Sequence, residues 1–394
     1  MKRRQALSAA AGLPSKAWFR ESLIPGWIAR AVQPGRAGFV ELFDPADPMR
    51  DPGPVRTTLV TARLTYVFSH AHLLDPRGDT VAAARHGFSF LRDVCREGGQ
   101  GRFLHSVRED GAPVDSRSDL YDLAFVLFAM AWYYRATGEE QAVAIADEVI
   151  GFIEGEMVHP LGGFTEYTLG TLPRRQNPHM HLLEAFHALA EATGDARWLE
   201  RASAIVQLAR ERLVDAETGT LGEYFTDDWR PASGAAGAVC EPGHHFEWTW
   251  LLLHHWRLTG DAAARDLAEK LYGFAIRHGL DDGTAGPLAA FDVVDRGGAI
   301  TAATKLLWPQ TEAIKAFLAR MEFLGDADAA ERLDKHLASL FRWFVAPGTG
   351  LWFNQLTREG EPAQTMIPVR VLYHLVLALA EWERVCDGTA CARP

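Results

Sequence analysis

The chain has 394 residues, 48% of them hydrophobic and 23% charged, and a formal net charge of −11, which is an ordinary globular composition with enough length to bury a large core. Nucleic acid is excluded as a partner because no basic surplus exists to neutralise phosphates, and no apolar run approaches the ~20 residues of a membrane-spanning helix. Four cysteines without a CxxC pair exclude a disulfide framework and a cysteine-rich zinc site, and thiols this sparse suit a reducing, cytoplasmic location.

The chain opens with Met1-Lys-Arg-Arg4 and a weakly apolar stretch to Leu13 that mimics a signal peptide. The twin arginine suits Tat export, but the apolar stretch is short and no A-x-A site follows, so a cleaved signal is not expected. An amphipathic helix is expected at 15–32. A repeat then governs the chain. The turns Arg77-Gly78-Asp79, Thr137-Gly138-Glu139, Thr193-Gly194-Asp195, Thr259-Gly260-Asp261, Leu324-Gly325-Asp326 and Asp387-Gly388-Thr389 recur at a period of about 60 residues, the mark of a repeat architecture. Glycine suits the left-handed position that ends a helix, and the acid after it suits the start of the next.

Segments before these glycines, such as 125–134 and 246–256, are apolar nearly all round and read as buried helices. Segments after them, such as 197–213, alternate apolar and charged residues at helical spacing and read as an outer layer. Six such pairs predict an all-α, (α/α)6 barrel: six helical hairpins closed into a toroid as one domain over 1–394. The long linkers 99–119, 162–177, 219–241, 283–308 and 348–368 are rich in Gly, Pro and aromatic residues. Phe164–Thr168 and Leu351–Leu356 read as short β-hairpins within them. All five linkers lead into inner helices, so they share one end of the toroid, and long loops in a compact domain tend to carry function.

Counting back from the repeat glycines, Arg63, Tyr121, His181, Glu247, His244, Glu312 and His374 fall at about one depth, near the N-terminal ends of the inner helices. Apolar helices that turn polar at one level describe a cavity floor. His244 and Glu247 are spaced i,i+3, as are His181 and Glu184, while Arg370 and His374 are i,i+4, so each pair shares a face. Trp308 opens a fifth inner helix and can stack on a sugar ring. His254 and His255 are out of register and read as structural. His179 and His181, two apart, diverge on a helix, and no third-ligand motif accompanies them, so neither metal nor cofactor is expected.

At these residues the chain resembles the N-acylglucosamine 2-epimerase superfamily, and its mannose isomerase branch most. The motifs are Arg56, Asn177-Pro-His-Met-His-Leu-Leu-Glu-Ala185, Glu241-Pro-Gly-His-His-Phe-Glu-Trp248, Trp308-Pro-Gln-Thr-Glu312 and Tyr373-His374. The resemblance implies that His244 and His374 carry acid–base chemistry and that Arg56, Asn177, His181, Glu247 and Trp308 bind a monosaccharide. It implies an aldose–ketose isomerase acting on D-mannose and D-fructose, or on D-lyxose and D-xylulose. The alternatives are a 2-epimerase of the N-acylglucosamine or cellobiose type, a glycoside hydrolase or lyase, and a non-catalytic sugar-binding toroid; a monomer or homodimer is expected.

Both isomerisation and epimerisation need an imidazole that titrates near the working pH. In this reading His374 takes the C2 proton of the opened sugar. His244, oriented by Glu247, assists ring opening and moves the proton between O1 and O2, the two histidine roles being exchangeable. Arg56 stabilises the oxygen that becomes negative, and Glu312 and Arg370 complete the sugar contacts.

Overall fold

A computed structural model of the chain describes residues 13–14, 18–168 and 170–388. The signal-like start at 1–12, the first residues of the helix expected from 15, Cys391 and the end of the sixth repeat turn lie outside the described residues. Among the described residues, twelve longer helices alternate between two layers. The outer helices are α1 (Ile24–Ala31), α3 (Gly78–Phe90), α5 (Glu140–Glu156), α7 (Arg197–Leu208), α9 (Ala262–His278) and α11 (Ala327–Ser339). The inner ones are α2 (Thr58–Leu74), α4 (Leu120–Thr137), α6 (Asn177–Thr193), α8 (Pro242–Thr259), α10 (Leu307–Leu324) and α12 (Leu372–Gly388). Their burial follows the sequence pattern. Helix α4 buries Leu123, Ala124, Phe125, Val126, Leu127 and Phe128 on every side, while α7 buries one stripe, Trp198, Ala202, Ile205 and Val206.

Each inner helix packs on the next, and α12 packs back on α2, so the ring closes. The seam is covered by the first outer helix. Trp27 of α1 gives its indole N–H to the Gly350 carbonyl at 2.9 Å and lies 4.5 Å from the Trp352 ring. Just upstream, Trp18 donates to the Pro347 carbonyl at 2.6 Å and Arg20 pairs with Glu383. The expected (α/α)6 barrel is therefore the observed one. Among the described residues no helix is long and apolar enough to cross a membrane.

The two ends of the ring are connected differently. At one end Gly138, Gly194, Gly260 and Gly325 adopt φ of 71°, 72°, 77° and 66° and end their helices in left-handed caps. Asp261 and Asp326 then accept from the backbone of Ala263 and Ala329 at the start of the next helix. Gly78 departs from this expectation. Helix α2 ends at Asp75, held extended (φ −148°, ψ 91°) because Pro76 follows and disfavours helical geometry before it, and Gly78 instead begins α3.

At the other end the long loops form a crown of very short strands. Ser106–Arg108 and Pro113–Asp115 form a hairpin, as do Val293–Val294 and Ile300–Ala302. The two hairpins expected at 164–168 and 351–356 are not self-paired. Phe164 bridges to Val158 and Tyr167 to Asp119, while Leu351–Trp352 pairs with Val345–Ala346 and Gln355–Leu356 with Lys305–Leu306. A two-residue strand leaves most of its backbone groups unpaired, and these find partners in the neighbouring loop. Further pairs, Arg174–Arg175 with Tyr224–Phe225 and Leu42–Phe43 with Ile367–Pro368, stitch successive loops round the crown.

Candidate active site

Beneath the crown, at the N-terminal ends of the inner helices, a cavity of about 330 Å³ is lined by Asn177, His181, His244, Glu247, Trp308, Arg370 and His374, with Arg63, Tyr121 and Arg175. Seven of the nine residues singled out as site residues thus meet on one surface. Glu312 lies immediately behind it, and Arg56 lies elsewhere.

His244 sits in the first turn of α8, behind Pro242 at a position where a missing N–H costs nothing. Its Nδ1 lies 2.9 Å from Glu223 Oε1 and 3.5 Å from Glu241 Oε2. Glu223 is itself held by Gln176 Nε2 at 2.9 Å, and Gln176 accepts the Trp248 indole N–H at 2.7 Å. Burial opposes a charge on His244, but the two carboxylates outweigh it and push its pKa up to about 10. The expectation that Glu247 orients His244 is therefore corrected: the orienting carboxylate is Glu223, which reaches down from the crown loop 219–241.

His374 stands on α12, and its Nδ1 lies 2.8 Å from Glu312 Oε1. Burial, reinforced by the positive charges of Arg63 and Lys315, holds its pKa well below the usual histidine value. A neutral ring that donates from Nδ1 to Glu312 keeps an Nε2 lone pair. Trp308 stands between the two histidines, with its ring 4.8 Å from His244 and 5.6 Å from His374. Glu312 is buried and its other oxygen meets Lys315 Nζ at 2.6 Å. Lys315, itself fully buried, lies 4.1 Å over the Trp250 ring.

Glu247 lines the cavity with both carboxylate oxygens buried and without a hydrogen bond, the nearest cation being Lys315 Nζ at 3.9 Å. Burial and the charge of Glu312 raise its pKa well above the carboxylate range, which favours the protonated acid. His181 bonds Glu184 through Nδ1 at 3.0 Å, and Tyr373 donates its hydroxyl to the same carboxylate at 2.5 Å. Burial lowers the His181 pKa to about 4. Asn177, the first residue of α6, presents an unpaired Oδ1, and Arg370 is exposed at the rim.

Arg56 does not line the cavity. It belongs to the strand Val55–Thr57 and points into the crown, donating to the carbonyls of Gly53 at 2.8 Å, Val55 at 2.9 Å and Ala37 at 3.2 Å, and pairing with Glu109. Arg63, in the second turn of α2, brings a guanidinium to the cavity, as do Arg175 and Arg370. Its Nη2 donates to the Tyr121 hydroxyl at 2.7 Å, its Nη1 to the Arg370 carbonyl at 3.3 Å, and its ring-facing carbon lies 4.1 Å over Phe125. His254 and His255 lie toward the opposite end, His254 beside Glu191 at 3.3 Å and His255 bonded to His187 at 3.0 Å.

Three groups in the site place ligand-type atoms within 4.8 Å of one another: Glu223, Glu241 and His244; Glu247, Glu312 and His374; His181, Glu184 and Glu247. In each the imidazole Nδ1 is already engaged by a carboxylate, which is the arrangement of oriented acid–base groups.

The family model of N-acylglucosamine 2-epimerase (GlcNAc 2-epimerase) matches residues 38–378. The chain is 34% identical over 379 residues to the mannose-6-phosphate isomerase of Rhizobium meliloti (strain 1021), covering 93% of this chain and 95% of that protein. It is 29% identical to the D-mannose isomerase of Pseudomonas cannabina pv. alisalensis, covering 82% of each. Among solved structures, the cellobiose 2-epimerase of Spirochaeta thermophila DSM 6192 superposes with a TM-score of 0.84 at 25% identity, over 98% of this chain and 97% of that one.

Proposed function

Since the chain belongs to the N-acylglucosamine 2-epimerase family and is an enzyme of the isomerase class, we propose that it interconverts D-mannose and D-fructose through a cis-enediol, with His374 and His244 as the proton-transfer pair. The observation that carries this reading is the opposite bias of two histidines on one small cavity: His374 is held neutral and His244 is held charged. Pairs of groups whose environments drive their pKa values apart divide into base and acid.

The sugar opens its ring as His244 gives a proton to the ring oxygen, the C1–O5 bond breaks, and the O1 hydroxyl proton passes to His244 as the C1=O1 carbonyl forms, which restores the charged imidazole. His374 Nε2 then takes the C2 proton, and the carbonyl electrons move to O1 to give an enediolate. His244, held by Glu223, moves a proton between O2 and O1, so that a C2 carbonyl forms. The proton on His374 returns to C1, which gives the ketose. Arg63 is the cation that faces the developing oxyanion. Glu247, as a neutral acid, donates a hydrogen bond to a sugar hydroxyl, as does Arg370, while the His181 Nε2 lone pair and Asn177 Oδ1 accept from sugar hydroxyls and Trp308 packs on the ring. The cavity volume lies at the small end of the ~300–1,000 Å³ typical of ligand sites, which favours one hexose over a disaccharide.

The second reading is 2-epimerisation, in which the proton returns to the other face of C2. What favours it is that His244 and His374 flank the same Trp308, so two faces of a bound sugar meet an imidazole each. Either reaction is carried by one catalytic unit, since the site draws on residues from Arg63 to His374. We assign the enzyme to the cytoplasm, as a metal-independent monomer or homodimer. Incubation with mannose, glucose, fructose, N-acetylmannosamine and cellobiose in D₂O, followed by NMR, tests the reading. Fructose from mannose, deuterated at C1, is the expected product; an epimer deuterated at C2 establishes the second reading, and no conversion of any sugar rejects both.

A further inference from the structure

Behind the cavity lies a lysine that the reaction as written does not use. Lys315 stands one turn after Glu312 on α10, and both side chains are fully buried. Its Nζ lies 2.6 Å from Glu312 Oε2, and Glu312 Oε1 lies 2.8 Å from Nδ1 of His374. Ammonium, carboxylate and imidazole thus follow one another from the buried interior to the cavity wall. We infer that Lys315 is a positioning residue of this site: its ammonium behind Glu312 keeps the Glu312–His374 pair from taking up a proton, and so leaves Nε2 of His374 free as a base. What that base does rests on the isomerase reading, but the state of the pair belongs to the resting protein.

The pair is sensitive to a single proton. An ionised carboxylate only accepts, so it leaves the imidazole proton on Nδ1 and the lone pair on Nε2. A proton on Oε1 would turn Glu312 into a donor to Nδ1, and a proton on the ring would make the imidazolium. Either puts hydrogen on Nε2 and removes the base. Burial favours such uptake by raising the Glu312 pKa, and the charge of Lys315 is the largest force against it. Lys315 also joins Arg63 in disfavouring a charged His374, in addition to burial.

The surroundings leave this task to Lys315. Facing the pair are Arg63 and Tyr66 from α2, His181 and Glu184 from α6, Glu247 with His244 beyond it from α8, and Tyr373 from α12. Arg63 gives its N–H groups to the Tyr121 hydroxyl and the Arg370 carbonyl. Among the described residues Lys315 is the one lysine or arginine paired with Glu312. Burial opposes its charge, but Glu312, Glu247 and Glu184 outweigh burial and raise its pKa, so it stays an ammonium. Neither Nζ nor Oε2 has a well-angled hydrogen-bond partner. Charge at short range is what joins them, and an uncharged side chain does not replace it. Packing alone would be served as well by an apolar residue here, since a buried ion pair is poor evidence of stability.

The test reads the imidazole directly. Two-bond proton–nitrogen correlation NMR of the full chain, with isotope-labelled histidine, separates rings protonated at Nδ1, at Nε2 or at both, and His374→Asn assigns the signal. We expect His374 of the unaltered protein to carry its proton on Nδ1 with Nε2 free at neutral pH. In Lys315→Met, which keeps the length without the charge, Nε2 should carry a proton at neutral pH and lose it only at alkaline pH. With mannose as substrate, kcat should fall by roughly 10²–10⁴-fold, the usual worth of a positioned base, with KM within a few-fold, and should recover as Nε2 loses its proton. Lys315→Gln, also uncharged, carries the same expectation if the methionine variant does not fold. A proton on Nε2 in the unaltered protein, or an Nε2 that stays free at neutral pH in a folded uncharged variant, overturns the inference. Absence of turnover in the unaltered protein would reject the isomerase reading and leave the nitrogen result standing.

Discussion

The two mouths of this ring are made from the same six helices, yet they differ in how the chain turns round. At the C-terminal ends of the inner helices, four of the turns are a glycine with an acid after it, spent on reversing direction. At the N-terminal ends the loops are long enough to pair with one another, and one of them sends Glu223 to His244. The helix ends differ as well: the N-terminal mouth collects the positive ends of six helix dipoles, which favours a developing enediolate, and the C-terminal mouth collects the negative ends. The difference teaches that the cavity with paired imidazoles and carboxylates sits where the connections are free to carry side chains and the helix dipoles suit a negative charge.

The sharpest test of that division removes the acid–base groups. His374→Asn and His244→Asn should each lower turnover by roughly 10²–10⁴-fold with the fold retained, and the double variant should fall less than the product of the two, because residues acting as a unit are not independent. Near-normal turnover in either single variant would break the assignment.

Next come the two arginines. Arg63→Ala should lower kcat/KM by more than about 100-fold, the usual loss for one charge-stabilising donor, with little change in melting temperature. Arg56→Ala, which strips the crown carbonyls of Gly53, Val55 and Ala37 of their donor, should lower the melting temperature by several degrees and leave kcat within a few-fold. The reverse pattern would return Arg56 to the site.

Glu223→Gln and Glu247→Gln separate the carboxylates more gently. Loss of a charged hydrogen bond of about 1.5–3 kcal/mol should lower turnover in Glu223→Gln by roughly 10- to 100-fold. It should also lower the pH at which the alkaline limb appears, because Glu223 is a main reason that the His244 pKa reaches about 10. The sign follows for stability too. The folded pKa of His244 lies above the 6.5 of an ordinary histidine, so its contribution is fully present below about pH 6.5 and is lost as the pH climbs through about 10. Glu247→Gln keeps a neutral donor and should retain most of its activity, with its alkaline limb in place. An unshifted limb in Glu223→Gln, measured as kcat against pH, would show that another group titrates.

At the opposite mouth Gly194→Ala should cost about 1–2 kcal/mol, the penalty for a side chain in left-handed backbone, since φ is 72° and nothing crowds the position. Turnover per folded molecule should not change, as judged by calorimetry beside an activity assay. The smallest effect expected is none: exhaustive EDTA treatment should leave activity whole. Activity lost and then restored by Mg²⁺, Mn²⁺ or Co²⁺ would place an ion in one of the carboxylate–imidazole groups.

Much of this was legible in the sequence. The repeat glycines marked the inner helices, and their all-round apolar character exposed every polar residue at one depth, which is how His181, His244, Glu247 and His374 were found. The same signal marks Arg63, whereas the resemblance points to Arg56, which belongs to the short strand just before α2. Glu223 stood in an irregular loop without periodicity, so nothing tied it to a histidine 21 residues later. Lys315 carries a readable signal: a lysine three residues after Glu312, on a helix with no exposed face there. The pairing of short strands between loops was beyond reach, because two-residue strands have no pattern of their own and find their register only once the ring has closed.

The seam has a consequence for how the enzyme comes to exist in the cell. During synthesis α1 and Arg63 leave the ribosome early, whereas the partners that complete them, Gly350, Trp352, Arg370 and His374, emerge in the last repeats. Contacts this distant along the chain form late and slowly. For most of translation Trp18 and Trp27 therefore lack the surface they are built to cover, and the nascent chain presents sticky aromatic groups that a holdase chaperone would recognise. The cavity is complete only when the final inner helix docks, so a ribosome that stalls before α12 releases an open arc without His374.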